Sequence, residues 1–298
     1  MKTHPLLSGC LITVLVVLFF VGVTVIAFKF LGKDSKMALM TEEKVGVVEI
    51  KGIISDSRTV IKQLDRFKED PAIKAIVVRI NSPGGAVGPS QEILREVEKI
   101  KKKKKIVASL GTVAASGGYY IACGADLIMA NRGTATGSIG VIMQFTNAEA
   151  LTKKIGLDFF TLKSGRYKDV GSPFRSMTPE EKEYMQHLLD NIYQQFLSDV
   201  ARNRKIPLEK LKSLAEGKVY TGEEAKQVGL VDDFGNLPDA IEKAGRLAGI
   251  KGKVEAAYPP KEGYSLLRLL LGDDAEETLS NIRALPYPEP AFLPTWFR

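Results

Sequence analysis

The chain has 298 residues, of which 45% are hydrophobic and 26% charged, and this composition excludes a disordered or collagen-like protein. With only two cysteines and two histidines, the chain cannot form a disulfide framework and has few residues for a metal site or a Ser-His-Asp triad. The net charge of +7 is concentrated near the N-terminus and in one lysine run at 101–105. We therefore predict no nucleic-acid partner.

The N-terminal segment is apolar enough to cross a membrane. Residues 11–28 read LITVLVVLFFVGVTVIAF without a charged side chain, and about 20 such residues span a bilayer as a helix. No small-residue cleavage pattern follows, which favours an uncleaved anchor over a signal peptide. We predict a transmembrane anchor over 1–28 and a linker over 29–44. The lysines that follow the apolar stretch weakly favour a cytoplasmic location for the rest of the chain.

After the linker, short β-branched runs alternate with helical patterns. The runs predict strands at 45–50, 75–80, 106–110, 127–129, 139–145 and 159–162. The periodic segments predict helices at 91–105, 148–155, 179–203, 221–229 and 237–247. Strands separated by helices indicate an α/β domain with parallel strand pairing. The lysine run suits the C-terminal end of the 91–105 helix.

Two capping boxes place the starts of helices in the second half of the chain. Thr178 with Glu181 begins the long helix, and Thr221 with Glu224 begins the next one. The apolar residues of the long helix predict a buried stripe of Tyr184, Leu188, Ile192, Phe196 and Val200. From about residue 251 the chain becomes Pro-rich, and we predict a peripheral or partly disordered tail over 251–298.

A first glycine-rich motif, NSPGG at 81–85, follows the 75–80 strand and precedes a helix. Two glycines at such a turn let the backbone approach a ligand and present N–H groups, although a plain turn has the same sequence. Neither a P-loop nor a strand-linked G-x-G-x-x-G motif is present. We therefore expect no nucleotide, and no other cofactor or metal.

A second motif, TVAASGGYYI at 112–121, also follows a strand. Ser116 stands among small residues just before an apolar helix, which is typical of a nucleophile exposed on a sharp turn. A serine that only caps the helix fits the pattern equally well.

A third motif, KSGRYKDVGSP at 163–173, could supply the base that a serine nucleophile needs. His4 precedes the apolar segment and His187 lies within the long helix, so neither is a convincing base. A lysine is the natural alternative, because loss of water can lower its pKa from about 10.4 by up to about 3–5 units. A basic surface loop is the simpler interpretation of the motif alone.

Together with TGSIGV at 136–141, these motifs resemble the signal peptide peptidase A (SppA) family of membrane-anchored serine proteases. The resemblance covers about 45–249 and the anchor. It implies the Clp-protease/crotonase fold, a spiral of repeated ββα units, as a domain over 45–250 preceded by one transmembrane helix. It also implies a Ser-Lys dyad.

Position by position, the resemblance implies that Ser116 is the nucleophile and Lys168 the general base. The family lysine directly precedes an aspartate, as Lys168 precedes Asp169, so Lys163 is not the matching residue.

The resemblance implies three supporting roles. Ser138 would orient the lysine amine, and the backbone N–H groups of Gly85 and Gly117 would form the oxyanion hole. Loss of one oxyanion donor typically lowers kcat by about 10²–10³.

The family digests remnant signal peptides in the membrane, with its catalytic domain on the extracytoplasmic side. The resemblance thus implies peptide substrates and the opposite orientation to the one that the lysine count favours. It further implies a ring-like homo-oligomer whose neighbouring subunits share the dyad. Three alternatives stay open: a Clp-class membrane protease that cleaves stomatin-like proteins, a crotonase-like acyl-CoA enzyme, and an inactive membrane scaffold.

Overall fold

The structure is a computed structural model that describes residues 42–260, the strand Ala291–Phe292 and, near the N-terminus, the helical residues Phe19, Val21 and Val23. The chain divides into two units, Met1–Glu42 and Glu43–Arg298. Nearly all of the predicted anchor and linker, and most of the predicted tail, lie outside the described residues. Within the described part, no helix is both long and apolar enough to cross a membrane.

The described elements alternate between strands and helices. The strands are β1 (Lys44–Ile54), β2 (Ile73–Ala86), β3 (Lys105–Ala115), β4 (Leu127–Ala130), β5 (Ala135–Gly137), β6 (Val219–Thr221), β7 (Asp233–Phe234), β8 (Glu255–Ala257) and β9 (Ala291–Phe292). The helices are α1 (Arg58–Glu69), α2 (Val87–Lys101), α3 (Gly117–Ala122), α4 (Glu149–Lys154), α5 (Pro179–Arg204), α6 (Leu208–Leu214), α7 (Gly222–Gln227) and α8 (Leu237–Leu247).

These strands form one sheet in the order β6-β5-β3-β2-β1-β8, with β4 beside β3, β7 beside β4, and β9 beside β2. The pairs β5–β6 and β2–β9 are antiparallel, and the other pairs are parallel. Parallel neighbours need a crossover connection, which α1 supplies between β1 and β2 and α2 supplies between β2 and β3. The predicted α/β class with parallel pairing is confirmed.

The central strands are buried on both faces, as expected for a parallel sheet covered by helices. On β2, Ile76 and Val78 join a core with residues of α1, α2, α3 and α5. The alternate residues Ala75 and Val77 join a smaller core with Ala240 and neighbouring residues of α8. This packing fixes the register of the strands whose ends carry the glycine-rich motifs.

The long helix α5 begins where its capping box predicts. The backbone N–H of Glu181 donates to Thr178 Oγ1 at 3.2 Å, and the Thr178 N–H donates to Glu181 Oε2 at 3.0 Å. The predicted stripe is wrong for its first half, because Tyr184 and Leu188 are 47% and 37% exposed. Only the C-terminal half, with the fully buried Phe196, packs against the main core.

Two predicted strands and the end of one helix are also wrong. Residues 139–145 and 159–162 form no strand, and β5 lies at Ala135–Gly137 instead. Phe159 stacks on Phe174, with ring centroids 3.9 Å apart, whereas Phe160 and Leu162 are 88% and 91% exposed within the described residues. Helix α2 ends at Lys101, and the Lys104 ammonium instead donates to the carbonyls of Phe67 and Asp70 at the C-terminal end of α1, at 2.6 Å each.

Candidate active site

Ser116 stands on a strained turn between β3 and α3. Its φ of 53° and ψ of −116° lie in a region that non-glycine residues rarely adopt, and its side chain is only 1% exposed. Its carbonyl accepts from the Tyr120 N–H at 2.8 Å, which begins the helix. The Ser116 hydroxyl makes no capping hydrogen bond, so the helix-cap interpretation is wrong. Residues held in this way cluster at functional sites.

The first glycine-rich turn packs directly against the serine turn. Ser82 pairs with Ala114, and a Cβ on Gly118 would lie 2.9 Å from the Ser82 carbonyl oxygen. Only a glycine therefore permits this close approach of α3 to β2. The Asn81 Oδ1 accepts from the Thr112 and Val113 N–H groups at 3.1 and 3.2 Å, which ties the two motifs together.

Gly85, at the end of the same turn, is pressed against β1. It pairs with Ile54, and a Cβ on Gly85 would overlap the Ile54 backbone. Gly117 is the first residue of α3, so its N–H has no partner within the helix. Both predicted oxyanion donors thus belong to turns that meet beside Ser116.

The TGSIGV motif reaches the same place through β5. The Thr136 hydroxyl donates to the Ala114 carbonyl at 2.7 Å, and the Ser116 N–H donates to the Gly137 carbonyl at 2.8 Å. Ser138 follows at once, with a positive φ of 50° and a nearly buried side chain. Three separate motifs of the sequence therefore converge around one serine.

Lys168 is placed differently, on the exposed side of the 163–175 segment, which we call the lysine loop. Its backbone N–H donates to the Gly165 carbonyl at 3.1 Å. Its ammonium makes no hydrogen bond or ion pair with any residue in the described range 42–260, Ser116 included. The single chain therefore assembles the serine, the glycines and Ser138, and leaves Lys168 facing outward.

Three other charged residues of the lysine loop, Lys163, Asp169 and Arg175, form ion pairs. The Asp169 carboxylate accepts from Lys163 and from Arg175 Nε, the latter at 2.8 Å. Arg175 also forms a double hydrogen bond with Glu181 at 2.6 and 2.8 Å. These bonds from Arg175 are the main reason that the pKa of Asp169 lies below its ordinary value and that of Glu181 is lowered to about 2. Both carboxylates are thus charged at neutral pH.

Helix α3 is fixed by buried polar groups. The Tyr119 hydroxyl donates to the Leu230 carbonyl at 2.9 Å, and the Tyr120 hydroxyl donates to Asp199 of α5. Burial raises the pKa of both phenols and raises the pKa of the Cys123 thiol to about 12, so these groups stay neutral. Their role is to hold the helix that follows Ser116.

The described region contains one histidine, His187. His187 lies on α5 as predicted, and its side chain is exposed. Within residues 42–260, no group of three or more histidine, cysteine, aspartate or glutamate side chains lies together in a way that could hold a metal ion.

Comparison with known proteins agrees with this geometry. Residues 98–251 match the model of peptidase family S49, and residues 34–149 match the Clp protease model. A Synechocystis sp. protein named as a protease is 42% identical over 240 residues, which cover 79% of this chain and 86% of that protein. One named as a protease from Methanocaldococcus jannaschii is 40% identical, over 72% of this chain and 69% of its own length.

A protein named as a signal peptide peptidase SppA, from Enterococcus faecium, is 36% identical over 68% of this chain and 63% of its own length. The sheet, the strained serine turn and these matches define a serine peptidase with a Clp-protease-like α/β fold. The chain belongs to peptidase family S49, the family of the SppA proteases.

Proposed function

We propose that this protein is an endopeptidase with a Ser116–Lys168 dyad, and that it hydrolyses remnant signal peptides at the membrane. The observation that carries the proposal is the Ser116 turn, where a nearly buried hydroxyl that caps no helix stands at a positive φ between glycine-rich turns. Preorganised backbone donors next to a nucleophile are what acyl transfer requires.

In the proposed reaction, the neutral Lys168 amine takes the proton from the Ser116 hydroxyl as its oxygen attacks the peptide carbonyl. The oxyanion accepts hydrogen bonds from the N–H groups of Gly85 and Gly117. The protonated amine gives its proton to the leaving amine, and an acyl-enzyme remains. A water molecule, deprotonated by Lys168, then releases the acid and regenerates Ser116.

A strand edge next to the Ser116 turn supports a peptide substrate. Strand β3 pairs with β2 as far as Ser82 and Ala114, whereas β1 continues beside β2 to Gly85. Beyond Ser82, β3 no longer pairs with β2. The edge of β2 at Gly85 and Ala86 pairs instead with the chain's own strand Ala291–Phe292, which runs antiparallel to it. An extended peptide therefore fits beside the proposed oxyanion donor by strand addition.

The outward position of Lys168 supports a dyad shared between copies of the chain. A lysine in water stays protonated at neutral pH, and only removal from water makes it a base. A second copy that covers Lys168 would supply both the dry surroundings and the serine. Exposed apolar side chains of the same region offer a surface for such a copy: Leu151, Ile155, Leu157, Phe159, Phe160, Leu162, Tyr184 and Leu188. We therefore propose a homo-oligomeric ring.

The apolar segment at 11–28 supports a membrane location. We propose one membrane-spanning helix, with the catalytic domain on the extracytoplasmic side and built as a spiral of ββα units. Confinement to the membrane would concentrate the enzyme where apolar signal peptides remain after export.

Replacement of each dyad residue tests the function in the full chain purified in detergent. Ser116→Ala and Lys168→Ala are expected to abolish hydrolysis of a signal-peptide substrate and labelling by a fluorophosphonate. The matched controls Ser213→Ala and Lys102→Ala change exposed residues and should leave both readouts unchanged. Wild-type activity should rise with pH, because a lysine accepts a proton only when it is neutral. Full activity of either dyad variant would disprove the assignment, and faster cleavage of a stomatin-derived peptide would change the substrate class.

A further inference from the structure

The residue that follows Lys168 is tied to helix α5 through one arginine. Arg175 Nε donates to the Asp169 carboxylate at 2.8 Å, while both Nη atoms donate to the Glu181 carboxylate in the first turn of α5. The Asp169 and Glu181 side chains are both nearly buried. Glu181 is itself held by the capping box with Thr178.

Every N–H of the Arg175 guanidinium is used. Two further bonds run to backbone carbonyls, from Nη2 to Asp169 at 3.2 Å and from Nη1 to Ser176 at 3.1 Å. With the bonds to the two carboxylates, these account for all five donors of the planar fork. A lysine has the same charge but cannot make this set of bonds from one rigid plane.

The residue that precedes Lys168 is tied to the same helix by an aromatic contact. The rings of Tyr167 and Tyr184 stack with centroids 4.7 Å apart and planes 23° apart. Because Glu181 and Tyr184 are three residues apart, they lie on one face of α5. The backbone of Lys168 is thus held on both sides against the first turns of this helix.

The other half of α5 holds the helix that follows Ser116. The Asp199 carboxylate accepts from the Tyr120 hydroxyl, and both of its oxygens accept from Arg95 Nη2 of α2, at 3.0 and 3.1 Å. Phe196 contacts the Tyr120 ring edge-to-face, with centroids 4.6 Å apart. Helix α5 therefore connects the lysine loop to the core around α3, across about 27 Å between positions 181 and 199.

We propose that Arg175 and Tyr184 are positioning residues that hold Lys168 on α5, so that this helix sets where the base of the Ser-Lys dyad stands. The inference rests on the proposed function. The inference holds whether Lys168 acts on the serine of its own chain or on that of a neighbouring copy. In both cases the backbone of Lys168 is fixed relative to α5 of its own chain. The two positive charges of Lys163 and Arg175 balance the two negative charges of Asp169 and Glu181, to which they are bonded. These four side chains therefore add no net charge beside the base.

The test compares Arg175→Met with the matched control Arg246→Met, in the full chain in detergent. Arg246 forms an exposed pair with Glu242 on α8, away from the lysine loop. Arg175→Met is expected to lower kcat by about 100-fold, the effect of a displacement of about 1 Å at a reacting group, with little change in KM. Arg246→Met is expected to match the wild type.

Fluorophosphonate labelling separates positioning from folding. The final extent of labelling counts folded sites, and its rate reports how well the base activates Ser116. For Arg175→Met we expect a slower rate with an unchanged extent. Arg175→Lys should be as slow as Arg175→Met, because the fork is lost although the charge remains. Tyr184→Ala should lower the rate about 2- to 10-fold, whereas Tyr184→Phe keeps the stacked ring and the wild-type rate.

Three results would overturn the proposal: a wild-type rate for Arg175→Met, full recovery in Arg175→Lys, or a loss confined to the extent of labelling. Each of these can occur while Lys168→Ala is inactive, in which case the Ser-Lys function stands and the positioning role fails. An active Lys168→Ala variant would instead remove the proposed function itself.

Discussion

The backbone N–H of Ser116 donates a hydrogen bond of 2.8 Å to the carbonyl of Gly137. This bond joins the serine turn to the residue just before Ser138, and both serines have a positive φ, of 53° and 50°. Such conformations cost about 1–3 kcal/mol each and persist only where the surroundings enforce them. The Ser138 N–H is in turn bound to the Lys218 carbonyl at 2.7 Å. Two strained serines are therefore held side by side by the backbone itself.

Two substitutions of Ser138 should distinguish the effect of its hydroxyl on kcat from the effect of its strained backbone on stability. Ser138→Ala and Ser138→Gly both remove the hydroxyl, and we expect kcat to fall by about 10- to 100-fold in both, the effect of a lost hydrogen bond to a charged group. Ser138→Gly should be more stable than Ser138→Ala by about 1–2 kcal/mol, because glycine adopts a positive φ freely. Steady-state kinetics and urea unfolding of both variants measure these effects. If kcat instead falls more in the less stable variant, Ser138→Ala, than in Ser138→Gly, the loss reflects backbone strain and the hydroxyl has no role.

The contact between α3 and β2 should make Gly118 intolerant of even one methyl group. An added Cβ would lie 2.9 Å from the Ser82 carbonyl oxygen, a backbone atom that cannot rotate away. We expect Gly118→Ala to destabilise the fold by about 1–3 kcal/mol and to lower kcat, since α3 must move away from the 81–85 turn, which carries the proposed oxyanion donor Gly85. Gly88→Ala is the matched control, because nothing lies within 4 Å of its added Cβ. A Gly118→Ala variant with wild-type kcat and stability would contradict the close packing.

Much of the site could be predicted because its chemistry is concentrated at strand ends. The small residues around Ser116 and the glycines at 84–85 directly follow the apolar runs that form β3 and β2. Motifs at the ends of neighbouring parallel strands meet at one edge of the sheet, so their convergence follows from the α/β pattern. The capping box of Thr178 and Glu181 placed the start of α5 at residue 179, and the helical pattern placed the start of α8 at residue 237.

The lysine loop could not be predicted in the same way. Its contacts join Asp169, Arg175 and Glu181 across irregular backbone, where no period of 2 or 3.6 residues marks which side chains meet. Apolar residues at 159–162 and on the first half of α5 have the sequence pattern of a buried strand and a buried helix face, yet in the single chain they are exposed. Hydrophobic pattern predicts that a surface is covered, and it does not say whether the same chain or another copy covers it.

Removal of strand β9 should free the edge of β2 for substrate. In the structure, Ala291–Phe292 occupies the edge at Gly85 and Ala86 where we propose that the peptide binds. A chain that ends at Pro290 is therefore expected to have a lower KM for a peptide substrate with a similar kcat, since a competing strand has been removed. A synthetic peptide of residues 286–298, added to the shortened chain, should raise KM again. An unchanged KM, with no inhibition by the peptide, would show that β9 does not compete for this edge.

The ion pairs of the lysine loop predict how stability depends on pH. Hydrogen bonds from Arg175 lower the pKa of Glu181 from 4.5 to about 2 in the folded protein. A carboxyl whose pKa is lowered by folding stabilises the folded state fully above its unfolded pKa, and this contribution is lost as pH falls through the folded pKa. Arg175→Met returns the pKa of Glu181 towards its ordinary value. The stability difference between wild type and Arg175→Met should thus be constant above about pH 5 and shrink between about pH 4.5 and 2.

Urea unfolding of both proteins at pH 7, 4.5, 3 and 2 measures this difference. Arg246→Met should show a small difference at each pH, because an exposed ion pair contributes little to stability. A wild-type advantage over Arg175→Met that is the same at pH 2 as at pH 7 would mean that Arg175 stabilises the loop by packing alone. A difference that disappears with the charge of the carboxylates would instead identify the bonds to Asp169 and Glu181 as what holds the loop on α5.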